Sequence, residues 1–247
     1  MKDSFSRMIV SDNIRCYDFK QFLIFLTVPS SPGCSLKMTI IPPAFLFRHA
    51  ISLPEINELP HKRGNLLKLP ESASIPDLSF EQKSGKWGNV KLAWNKNGLG
   101  IGLKVDQKQH PTTASEYIQV WIDTRDTKTV HRANRYCHSF QFRPTRNPEK
   151  QNQPYCEQLT IHRAQADAPM CELSEILLWA KINPTGYELE SWLPASVLNG
   201  FEPSAYPQLG FYYAIFDSEL GEQFMIVDHE FPFAQDPGLW ATMRLGT

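Results

Sequence analysis

From Val90 onward the apolar residues of this chain recur at every second position. Val90, Leu92 and Trp94 alternate with Lys91, Ala93 and Asn95, which is the period of a strand with one face buried. Strand character starts at Trp87. Asn95-Lys-Asn-Gly98 then reads as a turn, with Gly98 able to take positive φ. Leu99, Ile101, Leu103 and Val105 resume the alternation against Gly100, Gly102 and Lys104, so residues 90–105 predict a hairpin.

The same period recurs downstream. Over residues 116–123, Ile118, Val120 and Ile122 share one face while Tyr117, Gln119, Trp121 and Asp123 share the other. His138, Phe140 and Phe142 alternate, as do Leu159 and Ile161. Further strands are predicted at 176–182, 187–193, 209–216, 224–227 and 240–245, with Asn183-Pro-Thr-Gly186 turning the chain between two of them. Only 194–198 and the stretch around Ser174 suggest a helical turn. About nine short strands separated by turn residues indicate an all-β sandwich or barrel.

Ahead of this region the pattern changes. Residues 1–37 show neither alternation nor a capped helix and read as a tail or an upstream extension of the true start. Residues 38–84 carry recurring prolines with isolated apolar residues such as Phe45, Phe47 and Ile56, which predicts an extended arm packed on the domain. Residues 85–247 form the sandwich itself.

Composition narrows the function. The 247 residues suit one domain of this class, and 19 prolines against 13 glycines suit many short strands and irregular loops. A net charge of -1 argues against a general nucleic-acid or acidic-membrane binder. That average conceals a split. Residues 125–163 hold eight Lys/Arg against three Asp/Glu, and residues 164–247 hold two against twelve; such halves signal either polarised surfaces or two solvated faces of opposite sign. The apolar run 22–28 is too short for a span and lacks the cleanly basic leader of an export signal. Five cysteines without a CxxC read as free thiols, which favours a cytoplasmic protein over an exported one, with a Cys137–Cys156 bridge left for the exported case.

The candidate chemistry lies in two places. The run from Asp123 to His138 is rich in Arg, His and Tyr, and Arg125, His131, Arg132, Arg135 and Tyr136 offer paired donors and a stacking face for an anion or a polyhydroxylated ligand. The alternative is a solvated connection with internal salt bridges. Strand alternation also puts Trp121, Trp179 and Trp192 on polar faces, where a bare ring stacks well on a sugar. The alternative there is cover by the N-terminal arm, with Phe45 or Phe47 against the rings. A one-residue slip in register would exchange the faces. His131, Cys137, His138, Cys156 and His162 match no structural zinc spacing. Walker A, HExxH, GxSxG and dinucleotide-binding patterns are absent, so a binding role is expected over an enzyme. The enzymatic alternative is a glycosidase-like carboxylate pair at Glu188 and Glu190, and a third reading is a protein-interaction domain.

Five segments, in order, resemble the family 9 carbohydrate-binding modules and the wider DOMON-like sandwiches. They are residues 90–105; Tyr117-Ile-Gln-Val-Trp-Ile-Asp-Thr-Arg125; Gly186-Tyr-Glu-Leu-Glu-Ser-Trp-Leu-Pro194 with Leu198; Leu209-Gly-Phe-Tyr-Tyr-Ala-Ile-Phe-Asp217; and Trp240-Ala-Thr-Met-Arg-Leu245. The resemblance covers about residues 85–247. It implies a two-sheet antiparallel β-sandwich, immunoglobulin- or jelly-roll-like, and binding of a saccharide or another polar small molecule between aromatic side chains. The pair of tryptophans that clamps a sugar in well-studied members cannot be placed on this sequence, and residues 124–135 exceed the usual short connection. Calcium at Asp123, Asp126 or Asp217, or haem on a Met or His ligand, enters only through the resemblance. No motif supports either, so no cofactor is expected.

Overall fold

The structure is a computed structural model that describes residues 48–79, 85–146 and 153–246. The tail expected over 1–37, with Phe45 and Phe47, lies outside the described residues. The strands are β1 (Ala50–Leu53), β2 (Gly88–Asn95), β3 (Gly98–Val105), β4 (Tyr117–Asp123), β5 (Cys137–Arg143), β6 (Tyr155–Leu159), β7 (Leu177–Asn183), β8 (Gly186–Pro194), β9 (Gln208–Asp217), β10 (Gly221–Phe224) and β11 (Ala241–Leu245). The only helices among the described residues are single 3-10 turns.

One sheet runs β1-β11-β9-β4-β5-β6, with β10 also paired to β9; the other runs β2-β3-β8-β7. All pairings are antiparallel except β1 with β11. The chain is therefore the two-sheet sandwich that its period predicts. Residues such as Leu92, Ile101, Val120, Phe140, Leu189 and Phe211 turn inward from both sheets into one core. Fully burying a side chain of that size contributes about 1.5–3 kcal/mol.

Three local differences have physical causes. Strand β1 has only four residues in the Pro-rich arm, and its partner β11 lies at the other end of the chain, so no local period announces it. The apolar residues 225–227 are buried but follow the end of β10, because burial there comes from packing over the sheet. The turn between β2 and β3 is closed by the Asn95 side chain, which accepts from the Asn97 N–H at 2.9 Å. Gly98 is needed for close approach, not for positive φ. A Cβ there would lie 2.3 Å from the Leu193 carbonyl oxygen and 2.8 Å from the Trp192 ring.

Both outer faces are covered in part. Residues 54–69 of the arm cross the four-stranded sheet, where Leu59, Leu66 and Leu67 pack on Ala93 and Trp192. Asn95 donates to the carbonyls of Ile56 and Leu59 at 3.0 and 2.9 Å. Glu190 accepts the Leu67 and Lys68 N–H groups at 2.8 and 3.0 Å, so both of its carboxylate oxygens hold the arm. On the seven-stranded sheet, Phe233 stacks on Tyr212 at 4.7 Å and meets Trp121 edge-on at 5.5 Å. Tyr212 donates its hydroxyl to the Val227 carbonyl, and Trp240 donates Nε1 to the Phe233 carbonyl at 2.7 Å.

Candidate functional site

A cleft of about 620 Å³ opens where β4 ends, lined by Arg125, Thr127, Asn134, Arg135, Tyr136, Gln165, Ala166 and Tyr206. Three loops meet there: 124–136 between β4 and β5, the stretch around Gln165 after β6, and the turn ahead of β9. Asp123 fixes the first loop at its root. It is buried, and its two oxygens accept from the N–H groups of Arg125 at 2.9 Å and Thr127 at 2.7 Å. Burial raises the Asp123 carboxyl above its ordinary range, against the pull of those two bonds.

The loops are tied together by polar side chains. Thr124 donates its hydroxyl to the Asn199 carbonyl at 2.8 Å, and Asn199 donates Nδ2 to the Arg135 carbonyl at 2.9 Å. Asn134 accepts the Tyr136 N–H at 2.9 Å, and the Gln165 N–H reaches the Ala133 carbonyl at 2.7 Å. His138, buried below on β5, places Nε2 3.4 Å from the same Asn199 carbonyl. Burial pushes its pKa down to about 4, a fall that the Asn199 contact only partly offsets. Gly200 sits at φ +83°, and a Cβ on it would come within 2.8–3.0 Å of Tyr136, Thr124 and Arg125. No larger residue fits there without moving the cleft wall.

Arg125 is the pillar of the site. Its guanidinium lies 3.6 Å from the Tyr206 ring centroid and 4.6 Å from that of Tyr136. It donates to the carbonyls of Gly200 and Thr124 and approaches Glu202 at 3.7 Å. Cation–π contacts and carbonyl bonds together hold both rings in place. Tyr206 stays 43% exposed, because the turn that carries it, closed by its N–H to the Glu202 carbonyl at 2.8 Å, stands beyond the sheet. The result is an aromatic surface beside amide, hydroxyl and guanidinium donors, the combination that fixes a polyhydroxylated ring by stacking on its apolar face and bonding its edge.

Of the expected site residues, the structure brings Arg125, Arg135 and Tyr136 together in this cleft. His131 instead pairs with Asp236 at 3.0 Å, and Arg132 donates to the carbonyls of Arg163 and Ala164 at 2.9 and 3.5 Å, closing loops outside the cleft lining. The exposed tryptophan face is corrected. Trp121 is 4% and Trp192 3% exposed, the first beneath Phe233 and the second beneath the arm leucines, while Trp179 is half-buried in the arm contact. A large ring on an outer strand position is costly to leave bare, and each outer face acquired its own cover. Glu190 is likewise committed to the arm backbone, which removes the proposed Glu188/Glu190 acid–base pair.

Thr127, Asn134, Gln165 and Tyr206 were not foreseen. Asn134 and Thr127 lay inside the singled-out loop but without charge or ring to mark them. Tyr206, in the loop Pro203-Ser-Ala-Tyr206-Pro207, had a readable signal, an aromatic between prolines outside any strand. Gln165 had none. The acids through which calcium would enter do not fit a metal cage. Asp123 accepts backbone N–H bonds, Asp126 pairs with Lys128 at 2.6 Å and Asp217 with Lys108 at 2.7 Å. Cys137 and Cys156 are separate buried free thiols, each pushed up to about 12 by burial.

No family model and no curated protein matches the chain. Among solved structures it is similar to a family 9 carbohydrate-binding module from Caldicellulosiruptor kristjanssonii in complex with glucose, with a TM-score of 0.55 and 12% identity over 80% of this chain and 95% of that one. It is also similar to a family 9 module from the same organism in complex with cellotriose, with a TM-score of 0.51 and 13% identity over 80% and 93% of the two chains. At that identity the likeness establishes architecture. The fold is that of the family 9 carbohydrate-binding modules.

Proposed function

We propose that this protein is a non-catalytic binding module that holds a saccharide in the cleft between Tyr136, Tyr206, Asn134 and Gln165. One observation carries the reading: Arg125 fixes two tyrosine rings beside polar side chains at an open end of the sandwich. The similar solved structures, complexes with glucose and cellotriose, support the ligand class. Tyr206 presents a ring face for a sugar, and Asn134 and Gln165 supply amide donors and acceptors for its hydroxyls.

The test is calorimetric titration of the purified chain with glucose, cellotriose and a wider glycan panel. Tyr206→Ala is expected to weaken binding about tenfold or more, in the range lost when a stacking ring is removed, while the denaturation midpoint confirms folding. Unchanged affinity in Tyr206→Ala and in Asn134→Ala would move the site elsewhere.

A further inference from the structure

Resting on the saccharide reading of the cleft, we propose that its preferred ligand is an acidic sugar, a uronate whose carboxylate is received by Arg135. The cleft lining carries two cations, Arg125 and Arg135, and no acid. The charge of Arg125 is already spent: it sits between two rings, bonds two carbonyls and approaches Glu202 at 3.7 Å. Arg135 differs. Its side chain makes one hydrogen bond, to the Tyr136 hydroxyl at 3.1 Å, and lies 5.1 Å from that ring centroid. Among the described residues no carboxylate lies within ion-pair distance of it.

The neighbours on the same loop are engaged otherwise. Lys128 pairs with Asp126, His131 with Asp236, and Arg132 caps two carbonyls. Asp167 lines a small neighbouring cavity with Gln158 and Ile161, which shares Ala166 with the cleft. Lys128 is thus paired with an acid and Arg132 is engaged by backbone carbonyls, while the Arg135 guanidinium faces a concavity with the exposed Tyr206 ring beside it. Tyr136 orients the fork with a single bond, so most of its five N–H donors remain for a ligand. Adjacent hydroxyls of a neutral sugar can accept from such a fork but bring no charge to balance it. A uronate has an apolar ring face for Tyr206 and, at its edge, a planar carboxylate that accepts two parallel N–H bonds.

The test compares trigalacturonate with its methyl ester, which keeps the ring and removes the charge, and sets cellotriose beside them as the neutral control. The acid is expected to bind about tenfold more tightly than the ester, with the preference shrinking as salt is raised. In Arg135→Gln, checked for an unchanged denaturation midpoint, the acid-to-ester ratio is expected to fall to near one. Equal binding of acid and ester by the wild type would overturn the proposal and leave the saccharide site standing. So would an acid preference that survives Arg135→Gln. Binding of none of the three sugars would overturn the uronate proposal, and failure across the whole glycan panel would overturn both readings.

Discussion

Lys108 and Arg135, at the two ends of the sandwich, are treated in opposite ways. Where β4 begins and β9 ends, Lys108 sits 2.7 Å from both oxygens of Asp217 and 3.2 Å from Glu116, and all three side chains are at most 1% exposed. Burial alone would raise the Glu116 carboxyl, yet bonds from Thr113, Ser218 and Lys108 hold it below its usual range. Where β4 ends, roughly 20 Å away along a seven-residue strand, Arg135 stays exposed with a tyrosine hydroxyl as its partner. An end that closes the core must satisfy its ions internally, because a lone buried charge costs several kcal/mol. An end formed by loops around a cleft keeps its cation in water and so keeps it for a ligand.

The largest expected effect breaks the closed end. Lys108→Met leaves Glu116 and Asp217 buried without their cation, and urea denaturation is expected to show a loss of about 3–5 kcal/mol, with saccharide affinity of the folded protein little changed. A loss under about 1 kcal/mol would mean that the cluster relaxes into water, and the contrast between the ends would fail.

A pH effect belongs to the layer beneath the cleft. His138 is neutral when folded, with a pKa of about 4 against an ordinary value of 6.5. Above pH 6.5 the folded and unfolded states agree, and the full stability is present. Between 6.5 and 4 the unfolded chain takes up the proton and the folded one does not, so stability is lost as pH falls, by about 3 kcal/mol in all. Subtracting the profile of His138→Gln from that of the wild type should leave this slope; parallel profiles would assign the acid sensitivity to other groups.

The smallest comparison uses one glycine from each end. Gly200 and Gly221 have nearly the same φ, +83° and +85°, but a Cβ at Gly200 meets three cleft residues within 3.0 Å while Gly221 has nothing within 4 Å. Alanine at either position carries the backbone strain, of order 1 kcal/mol. Only Gly200→Ala is expected to add a packing cost of about 1–2 kcal/mol and to reduce sugar binding. Equal losses at both would show that the cleft wall yields freely.

Much of this architecture is legible in the residue order. Alternation placed Val90, Leu92, Ile101, Val120 and Phe140 inward, because a pleated strand alternates its side chains between faces whatever lies around it. The loop from Asp123 to His138 declared itself by an excess of Arg, His and Tyr. The fate of the tryptophans was not legible. Alternation correctly put Trp121 and Trp192 on outer faces, but whether an outer face meets water depends on Phe233 and on Leu59, Leu66 and Leu67, segments remote in the chain that carry no strand period. Tyr206 was missed for a related reason, since its partner Arg125 is far away in sequence and beside it only in space.

Local covalent geometry, then, is what the residue order by itself determined: the period of two, the turns at 95–98 and 183–186, and hence two sheets with apolar inner faces. Tertiary structure decided which charges are spent and which remain. Arg125, Lys128, Arg132 and Arg135 are equivalent basic residues on one loop when read in order. Only the meeting of that loop with Gly200, Glu202, Tyr206 and Gln165 turns one into a pillar and leaves another facing the cleft, because ion pairing and ring stacking act over a few ångströms of space and are blind to distance along the chain.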